Sequence, residues 1–599
     1  MRRRDALLAV AMLVVAVGLI VARAGSGGAR SAATAAASSP SAPASTLDPF
    51  AAFSLTAAPL DWSRPLPGAA VAPAGYVGSA ACAKCHADVA RRYASRPMAN
   101  TGMHRIAGRT AALDAIFDGK HVVQHAASGF SYRPLHDDRG YFVEERLDAP
   151  DGRPIHLRRE PITLSFTAGT SGAAFGFERG GRLHQVPIDW YVGSATWGID
   201  PGYVQNGRFS RPFGVTCIGC HTEYPTHVPS NEAIVRGPLA EGIGCERCHG
   251  PGAKHATTMN GDDVVNPARL PFARQLDVCA QCHLEGAAEV LRAGKGHYDF
   301  VAGTALSSQQ VQWVEETPKA DAFALVGATD RLVRSACFTK SPGKLGCTTC
   351  HDAHGAPAAK PMRDACVGCH ASPGSKPCGL PESDRLARNH DDCASCHMAR
   401  DTPADFRQRV PGVRLEAVDH WIRTRPQAPR PLDEPPVAQQ VAKIVPFLRL
   451  VGEVAPPGMA VDELAANEAV AWMSSGLEGE AAPKLLTFAA SPPQIPALYR
   501  AIGDAYAKAL EAPTAAPGAD ADHRHLVERL RAARATELSL AFDDVDALVR
   551  YAQACMLVGG NLALREAESA LRRALGIASE DASALVELGG LLFRTGRAD

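Results

Sequence analysis

The sequence predicts a mainly α-helical chain: a body packed around bound groups, interrupted by a small antiparallel β insert and followed by a helical-repeat tail. Three observations lead there. Seven Cys-x-x-Cys-His segments are present, six of them between residues 217 and 397. Residues 105–216 contain none of these segments and alternate polar with apolar positions between turn-forming residues. Residues 438–599 are rich in Ala and Leu at helical spacing.

The 599-residue chain is long enough for several domains. Its 62 Lys+Arg against 63 Asp+Glu give a formal charge of −1, so nucleic acid is not an expected partner. At the N-terminus, Met1-Arg-Arg-Arg4 precedes an apolar run from Ala6 to Ala22, a basic region followed by an export segment. Ala22-Arg-Ala24 fits a cleavage site, and the run is also nearly long enough to stay as an anchor. Residues 1–24 therefore read as a signal peptide or membrane anchor. Either one places the body outside the cytoplasm, in the periplasm or its equivalent, with membrane contact through this segment alone.

Residues 25–75 are rich in Ala, Ser, Pro and Gly and read as a disordered linker. Residues 76–104 carry the first Cys-x-x-Cys-His segment and a short helix. The stretches FSYRP, YFVEERL, PIHLRR and AAFGF, split by HDDRG, DAPDGR and ERGGR, predict β-hairpins across 105–216, the one part of the body expected to form a sheet. Residues 217–425 hold the other six segments, too densely for an ordinary side-chain core. A Pro-rich linker at 425–437 leads into the tail, 438–599. There Cys555, Ala567, Leu571 and Ala574 fill the packing positions of a 34-residue helix-turn-helix frame, and Gly589 falls one period after Cys555. Ile502, Gly503 and Tyr506 match earlier. These positions look like degenerate tetratricopeptide repeats. The chain stops at Asp599 after the first helix of a repeat, so the tail reads as truncated or as capped by a partner.

The seven segments use Cys82, Cys85 and His86; Cys217, Cys220 and His221; Cys245, Cys248 and His249; Cys279, Cys282 and His283; Cys347, Cys350 and His351; Cys366, Cys369 and His370; and Cys393, Cys396 and His397. Two thiols at this spacing add across the two vinyl groups of a haem, and the adjacent His lies beneath the iron as proximal ligand. Zinc sites also use Cys-x-x-Cys, but they do not require His at the next position. With 21 His in 599 residues, seven His in seven such places arise by chance on the order of once in 10¹⁰. The expected cofactor is therefore haem c, seven copies, covalently attached. Their propionates would add about 14 negative charges.

A second axial ligand is open to several residues. His255 and His354 lie too close in sequence to cap their own irons and so reach neighbouring ones; His420 follows the last segment and His390 precedes it. His125, His227 and Met98 complete the candidates, with His297 in reserve. Bis-His ligation lowers the potential, Met raises it, and an open position permits substrate binding. His523 and His525 read as surface residues, Cys555 as packing, and Cys337 with Cys378 as a possible disulfide.

YVGSAACAKCH (76–86), HAASGFSY (125–132), LHQVPIDWY (183–191), PGY (201–203), GIGCERCHGPGAKH (242–255), VNPARL (265–270), VCAQCH (278–283), CHMAR (396–400) and DHWIR (419–423) together resemble exported multihaem c-type cytochromes with a tetratricopeptide tail. The haem part is similar to the tetrahaem cytochrome c of ammonia oxidisers and, distantly, to hydroxylamine oxidoreductases. The resemblance implies a haem-packed multihaem cytochrome body that transfers electrons outside the cytoplasm. Redox partner proteins would be other cytochromes or a quinol-linked complex, and the repeat tail would dock a partner. Where family members carry a His, this chain has Ser95-Arg-Pro-Met98. The competing function is an oxidoreductase acting on a small nitrogen or sulfur compound at one five-coordinate haem, with Arg96, Tyr203, Arg208 and His297 as candidate groups. No Cys-x-x-Cys-Lys segment is present.

Overall fold

The computed structural model describes residues 48–597 except 49, 71–73, 168–170, 204–207, 230, 238, 240, 319–322, 356–361, 372–373, 404–405, 407–412, 414, 426–442 and 512–518. The apolar run 6–22, the linker up to residue 47 and the Pro-rich residues 426–437 lie outside the described residues. Among the described residues no helix is long and apolar enough to cross a membrane.

The fold is mixed and mainly α, with all of its sheets antiparallel. The hairpin pattern of 105–216 builds two of them. One is a four-stranded meander of β2 (Val123–Gln124), β3 (Ser131–Asp137), β4 (Gly140–Asp148) and β5 (Pro154–Ile162). The other, eight-stranded, runs β1 (Met103–Arg105), β6 (Leu164–Thr167), β7 (Gly172–Arg179), β8 (Arg182–Gln185), β12 (Asn231–Val235) and β11 (His227–Val228). Beside β7 it continues through β9 (Ile188–Tyr191) to β10 (Thr196–Ile199). Phe117, Tyr132, Tyr141, Phe175, Phe177, Trp197 and Phe209 fill the core between the two sheets.

Strand structure reaches beyond the expected insert. β13 (Ala288–Leu291), β14 (Gln310–Glu315) and β17 (Ile444–Pro446) form a third sheet, and β15 (Arg400–Asp401) pairs with β16 (Ala417–Val418). QVQWVE at β14 alternates Gln with apolar residues, yet both faces are buried. Gln312 donates to Glu289 (2.6 Å) and the Trp313 indole donates to Asn467 (2.7 Å), which satisfies polar groups that would otherwise argue for exposure.

From Val461 the chain is helical, and consecutive helices pack against one another. Helices Val461–Ser474, Glu478–Thr487 and Pro496–Leu510 share a core with the third sheet through Val290, Val311, Trp313, Ala466, Leu485 and Tyr499. Helices Val545–Val558, Gly560–Ile577 and Ala582–Arg594 form a second core around Leu548, Cys555, Ala567, Leu571, Ala574 and Leu591. Asp544 and Asp581 cap two of these helices by accepting from Ala547 N (2.7 Å) and Ala584 N (2.9 Å). Cys555 is fully buried, as its place in the helical frame suggested.

Residues 48–66, within the segment expected to be disordered, are instead a packed strap along this tail. Phe50 and Phe53 enter the first core, and Leu60 and Trp62 pack on the second. The buried Asp48 carboxylate accepts from Tyr506 (2.7 Å) and pairs with Arg529 (3.1 Å); Arg573 donates to the carbonyls of Arg64 (2.8 Å) and Pro65 (3.0 Å). Low overall hydropathy hid three aromatics spaced along an extended chain. Burying Phe53 to 2 % exposure predicts that Phe53→Ala costs about 3–5 kcal/mol. Guanidinium unfolding followed by far-UV circular dichroism checks this, with a shifted midpoint for the helical signal expected.

Candidate functional site

The described body encloses a cavity of about 3130 Å³, several times the size of a single-ligand pocket. Every one of the seven Cys-x-x-Cys-His segments lines it, each through its His and at least one Cys. Short helices carry them: Val215–His221, Phe272–His283, Met362–His370 and Cys393–His397 each end on the motif His. Three further histidines line the same space, His255, His354 and His420.

These three stand opposite motif histidines. The rings of His86 and His255 are stacked with centroids 6.2 Å apart and an interplanar angle of 21°. His249 and His354 stack at 5.8 Å and 17°, and His351 and His420 approach at 6.1 Å and 33°. A metal held between two imidazoles needs about 2 Å per bond plus about 1 Å from each nitrogen to its ring centre, a total of about 6 Å. The centroid spacing of the three pairs matches that of a metal held between two imidazoles.

Backbone carbonyls fix the rings' tautomers. Nδ1 donates to Thr101 O from His221 (2.7 Å), to Val265 O from His249 (2.8 Å) and to Asn260 O from His255 (2.8 Å). The same bond joins His370 to Lys376 O (2.9 Å), His397 to Arg423 O (2.6 Å) and His420 to Val418 O (3.0 Å). A carbonyl only accepts, so Nδ1 carries the proton and Nε2 keeps its lone pair for a metal. Burial holds the His221, His249, His283, His351 and His420 imidazoles below the usual histidine range, which favours the neutral, metal-binding form.

The cysteines are free thiols, Cys337 and Cys378 included, so the disulfide expected between those two is not formed. Among the described residues no three His, Cys, Asp or Glu side chains converge as they would on a bare metal ion, which sets the arrangement apart from zinc ribbons. Thiols of different segments do meet in pairs: Cys82 with Cys245, Cys220 with Cys282, Cys279 with Cys347, and Cys366 with Cys393. Burial pushes Cys82, Cys248 and Cys366 up to about 11.

The residues between the cysteines, which drew no comment in the sequence, lace the segments together. Glu246 of CERCH is 2 % exposed and accepts from Val77 N (3.0 Å), Gly78 N (2.7 Å) and Gly252 N (2.7 Å), tying the first segment and the His255 helix to the third. Arg247 beside it donates to Gly219 O of the second segment (2.8 Å) and lies 4.9 Å over the Tyr224 ring. Gln281 of the fourth segment donates to Arg247 O (2.9 Å). Gly102 crosses Gly242 so closely that a Cβ there would lie 2.1 Å from the Gly242 Cα, which sets Thr101 O against His221. A Glu-Arg pair inside a Cys-x-x-Cys-His segment was the available signal.

The remaining candidates lie elsewhere or stand alone. His125 lies outside the cavity with both nitrogens engaged, Nδ1 to Ser128 Oγ (2.7 Å) and Nε2 to Tyr203 O (3.0 Å). His227 is buried outside it, its Nδ1 donating to Pro225 O and its ring 4.9 Å from Tyr298. His390 caps the helix Glu382–Asn389 in left-handed conformation and is not among the residues that line the cavity. Met98 and Arg96 line the cavity. Arg208 is paired with Glu145 and His297 with Glu289 (3.2 Å), both outside the cavity lining, as is Tyr203. His525 binds Asp48 (2.9 Å) in the strap contact.

Over an alignment of 191 residues the chain is 24% identical to the multiheme cytochrome MtrA of Shewanella baltica (strain OS185), covering 28% of this chain and 55% of that protein. The chain thus spans about half the length of this curated relative. No family model matches the chain, and no solved structure matches it.

Removing the Glu246 carboxylate strands three backbone N–H groups. Glu246→Ala is expected to cost about 3 kcal/mol in urea unfolding, and Glu246→Gln less, because its amide oxygen still accepts.

Proposed function

We propose that this chain is an extracytoplasmic multihaem c-type cytochrome that carries electrons through seven covalently attached haems. The observation that carries the reading is the convergence of all seven Cys-x-x-Cys-His segments on one cavity, where three of their histidines face His255, His354 and His420 at iron-spanning distances. Bound haem supplies a one-electron iron couple.

The chain's own residues do the rest. The fourteen motif cysteines anchor the porphyrins; His86, His221, His249, His283, His351, His370 and His397 are the proximal ligands; His255, His354 and His420 are the distal ones. The reading does not use His125, His227 or His390, and it keeps Met98 as a cavity-lining candidate. The thiols of neighbouring segments meet in pairs, first with third, second with fourth, fourth with fifth, and sixth with seventh, so haems attached there would be neighbours. Buried imidazoles in fixed tautomers would hold iron with an Nε2 lone pair already in place. Electrons would come from and leave to other cytochromes or a quinol-linked complex, with docking assigned to the repeat-like tail.

A second reading has its own support. Among the described residues His221, His283, His370 and His397 stack on no second histidine, so an oxidoreductase acting on a small nitrogen or sulfur compound at one open iron fits those positions.

Intact mass of the exported protein checks the haem number, with seven expected and one lost for each Cys-pair→Ala variant. In the oxidised protein, His255→Ala, His354→Ala and His420→Ala should each turn one low-spin paramagnetic resonance signal into a high-spin one at unchanged haem content, while His125→Ala leaves the spectrum as it was. Spectra unmoved by all three variants would sink the ligand assignment. A wild-type high-spin signal that responds to nitrite or hydroxylamine would favour the oxidoreductase. His354→Met is expected to raise one potential.

A further inference from the structure

We propose that Asp189 and Asp200 form a proton-binding site at the wall of the second Cys-x-x-Cys-His segment, and that its occupancy follows the redox state of the group that segment holds. The inference rests on the multihaem reading and adds proton coupling at one position to it.

The site is built by the second sheet. β9 carries Asp189 and the loop after β10 carries Asp200, and both line the cavity beside Thr216, Cys217 and Cys220. Asp200 is the anchored member of the pair: it accepts from Gly202 N (2.7 Å), Gln185 Nε2 (2.6 Å) and Arg211 Nη1 (3.0 Å). Arg211 also donates to the Gln185 side chain, which fixes the cluster's geometry. Asp189 is 8 % exposed and lies against the side chains of Asp200 and Gln185. Among the described residues its buried Oδ1 has no hydrogen-bond partner, although Asp189 lines the cavity.

A structural aspartate of ordinary kind has both oxygens satisfied, because an unpaired buried oxygen costs about 1–3 kcal/mol. Two carboxyl groups in contact and away from water ionise together only where a neighbouring positive charge offsets their repulsion. Burial and the Asp200 charge push Asp189 well above the usual carboxylate range, so Asp189 is the member of the pair that takes the proton. The other charged and titratable groups facing the pair are Arg211, which opposes the shift, and the Tyr191 and Tyr203 phenols. Burial and the two carboxyl groups push both phenols up, so they stay neutral. Asp200 and Arg211 also act on the Cys217 thiol, the attachment point of the second segment. The His of that segment, His221, meets Phe166 at 5.0 Å and stacks on no second histidine among the described residues.

The balance is one electron and one proton. An electron delivered by a redox partner protein removes one positive charge beside the pair, and Asp189 takes one proton from solvent. When the electron leaves to the next acceptor, the proton returns to solvent. Coupling is confined to the pH range between the proton affinities of the two redox states.

The test uses the haem-loaded, full-length protein. Redox titration across a series of pH values should show one couple falling by about 59 mV per pH unit over part of the range. Reduced-minus-oxidised infrared spectra should contain a protonated-carboxyl carbonyl band that shifts in deuterated water. Asp189→Asn is expected to abolish both the slope and the band at unchanged haem content, and Asp189→Glu to restore them. Asp200→Asn, which removes the raising charge, should move the sloping region to lower pH. A slope and band that persist in Asp189→Asn, or their absence from the wild type, overturn the inference and leave the multihaem reading standing. A purified protein without covalent haem overturns that reading instead.

Discussion

The buried carboxylate of Glu246 is the contact on which the arrangement of the body depends. Short helices around a large cavity bury little apolar surface against one another, so hydrophobic packing alone gives them no unique relative placement. Glu246 supplies that placement by gathering three backbone N–H groups from two other stretches of chain, Val77–Gly78 and Gly252. Hydrogen bonds to an ionised acceptor are roughly twice as strong as neutral ones, and their directions are fixed. The neighbouring Arg247 extends the frame to the second segment and, through Gln281, to the fourth. Two intervening residues of one Cys-x-x-Cys-His segment thus set the mutual positions of four.

That frame also determines which histidines can meet. The Gly252 N–H bound to Glu246 starts the turn that leads into helix Ala253–Thr258, and this helix delivers His255 across the cavity to His86. The first and third segments are therefore linked twice, once through Glu246 and once through the histidine that the third sends to the first. The fifth repeats the pattern by sending His354 to His249 while receiving His420. His420 is held by its own pin: the adjacent Asp419 is 1 % exposed and binds Arg331 through two hydrogen bonds of 2.8 and 2.7 Å. A buried, doubly bonded ion pair is costly to break, which suits a residue that must fix the direction of its neighbour.

The chemistry of single segments was legible in the sequence, while their assembly was not. Covalent attachment demands two thiols and a His at one spacing, so all seven segments stood out. His255 and His354 were readable because each lies a few residues after a motif, too near to serve its own iron, and His420 because it follows the last segment. His125, His227 and His390 were also candidates, and their contacts in the structure could not be read from the sequence: His125 on Tyr203 O, His227 against Tyr298 and His390 at a helix end. Strand β14 was missed because its Gln residues read as exposed. The strap was missed because Phe50, Phe53 and Trp62 are too sparse to make a period. The Asp189–Asp200 pair was out of reach altogether, since neither residue has a sequence neighbour that hints at the other.

The strap changes what the tail can do. Aromatic side chains of residues 48–66 fill places along the helices, and Arg529 and Arg573 bind the strap's backbone carbonyls. An intramolecular segment acts at an effective concentration that a free partner rarely matches. Under the proposed function, a partner that uses this face therefore has to displace the strap, and one that does not must use the opposite face of the helices. The tail's cores are meanwhile completed from the body: Val290, Val311 and Trp313 belong to the first, Val228 and Ile234 to the second. The buried Arg182 of β8 reaches Asp581 at 3.2 Å in the tail. The contacts through Val228, Ile234 and Arg182 fix the helices to the same second sheet whose β7 and β9 wall the cavity at the second segment. The tail is thus a buttress of the sheet that carries Asp189, and its packing and the geometry of the proton-binding pair are held by one element.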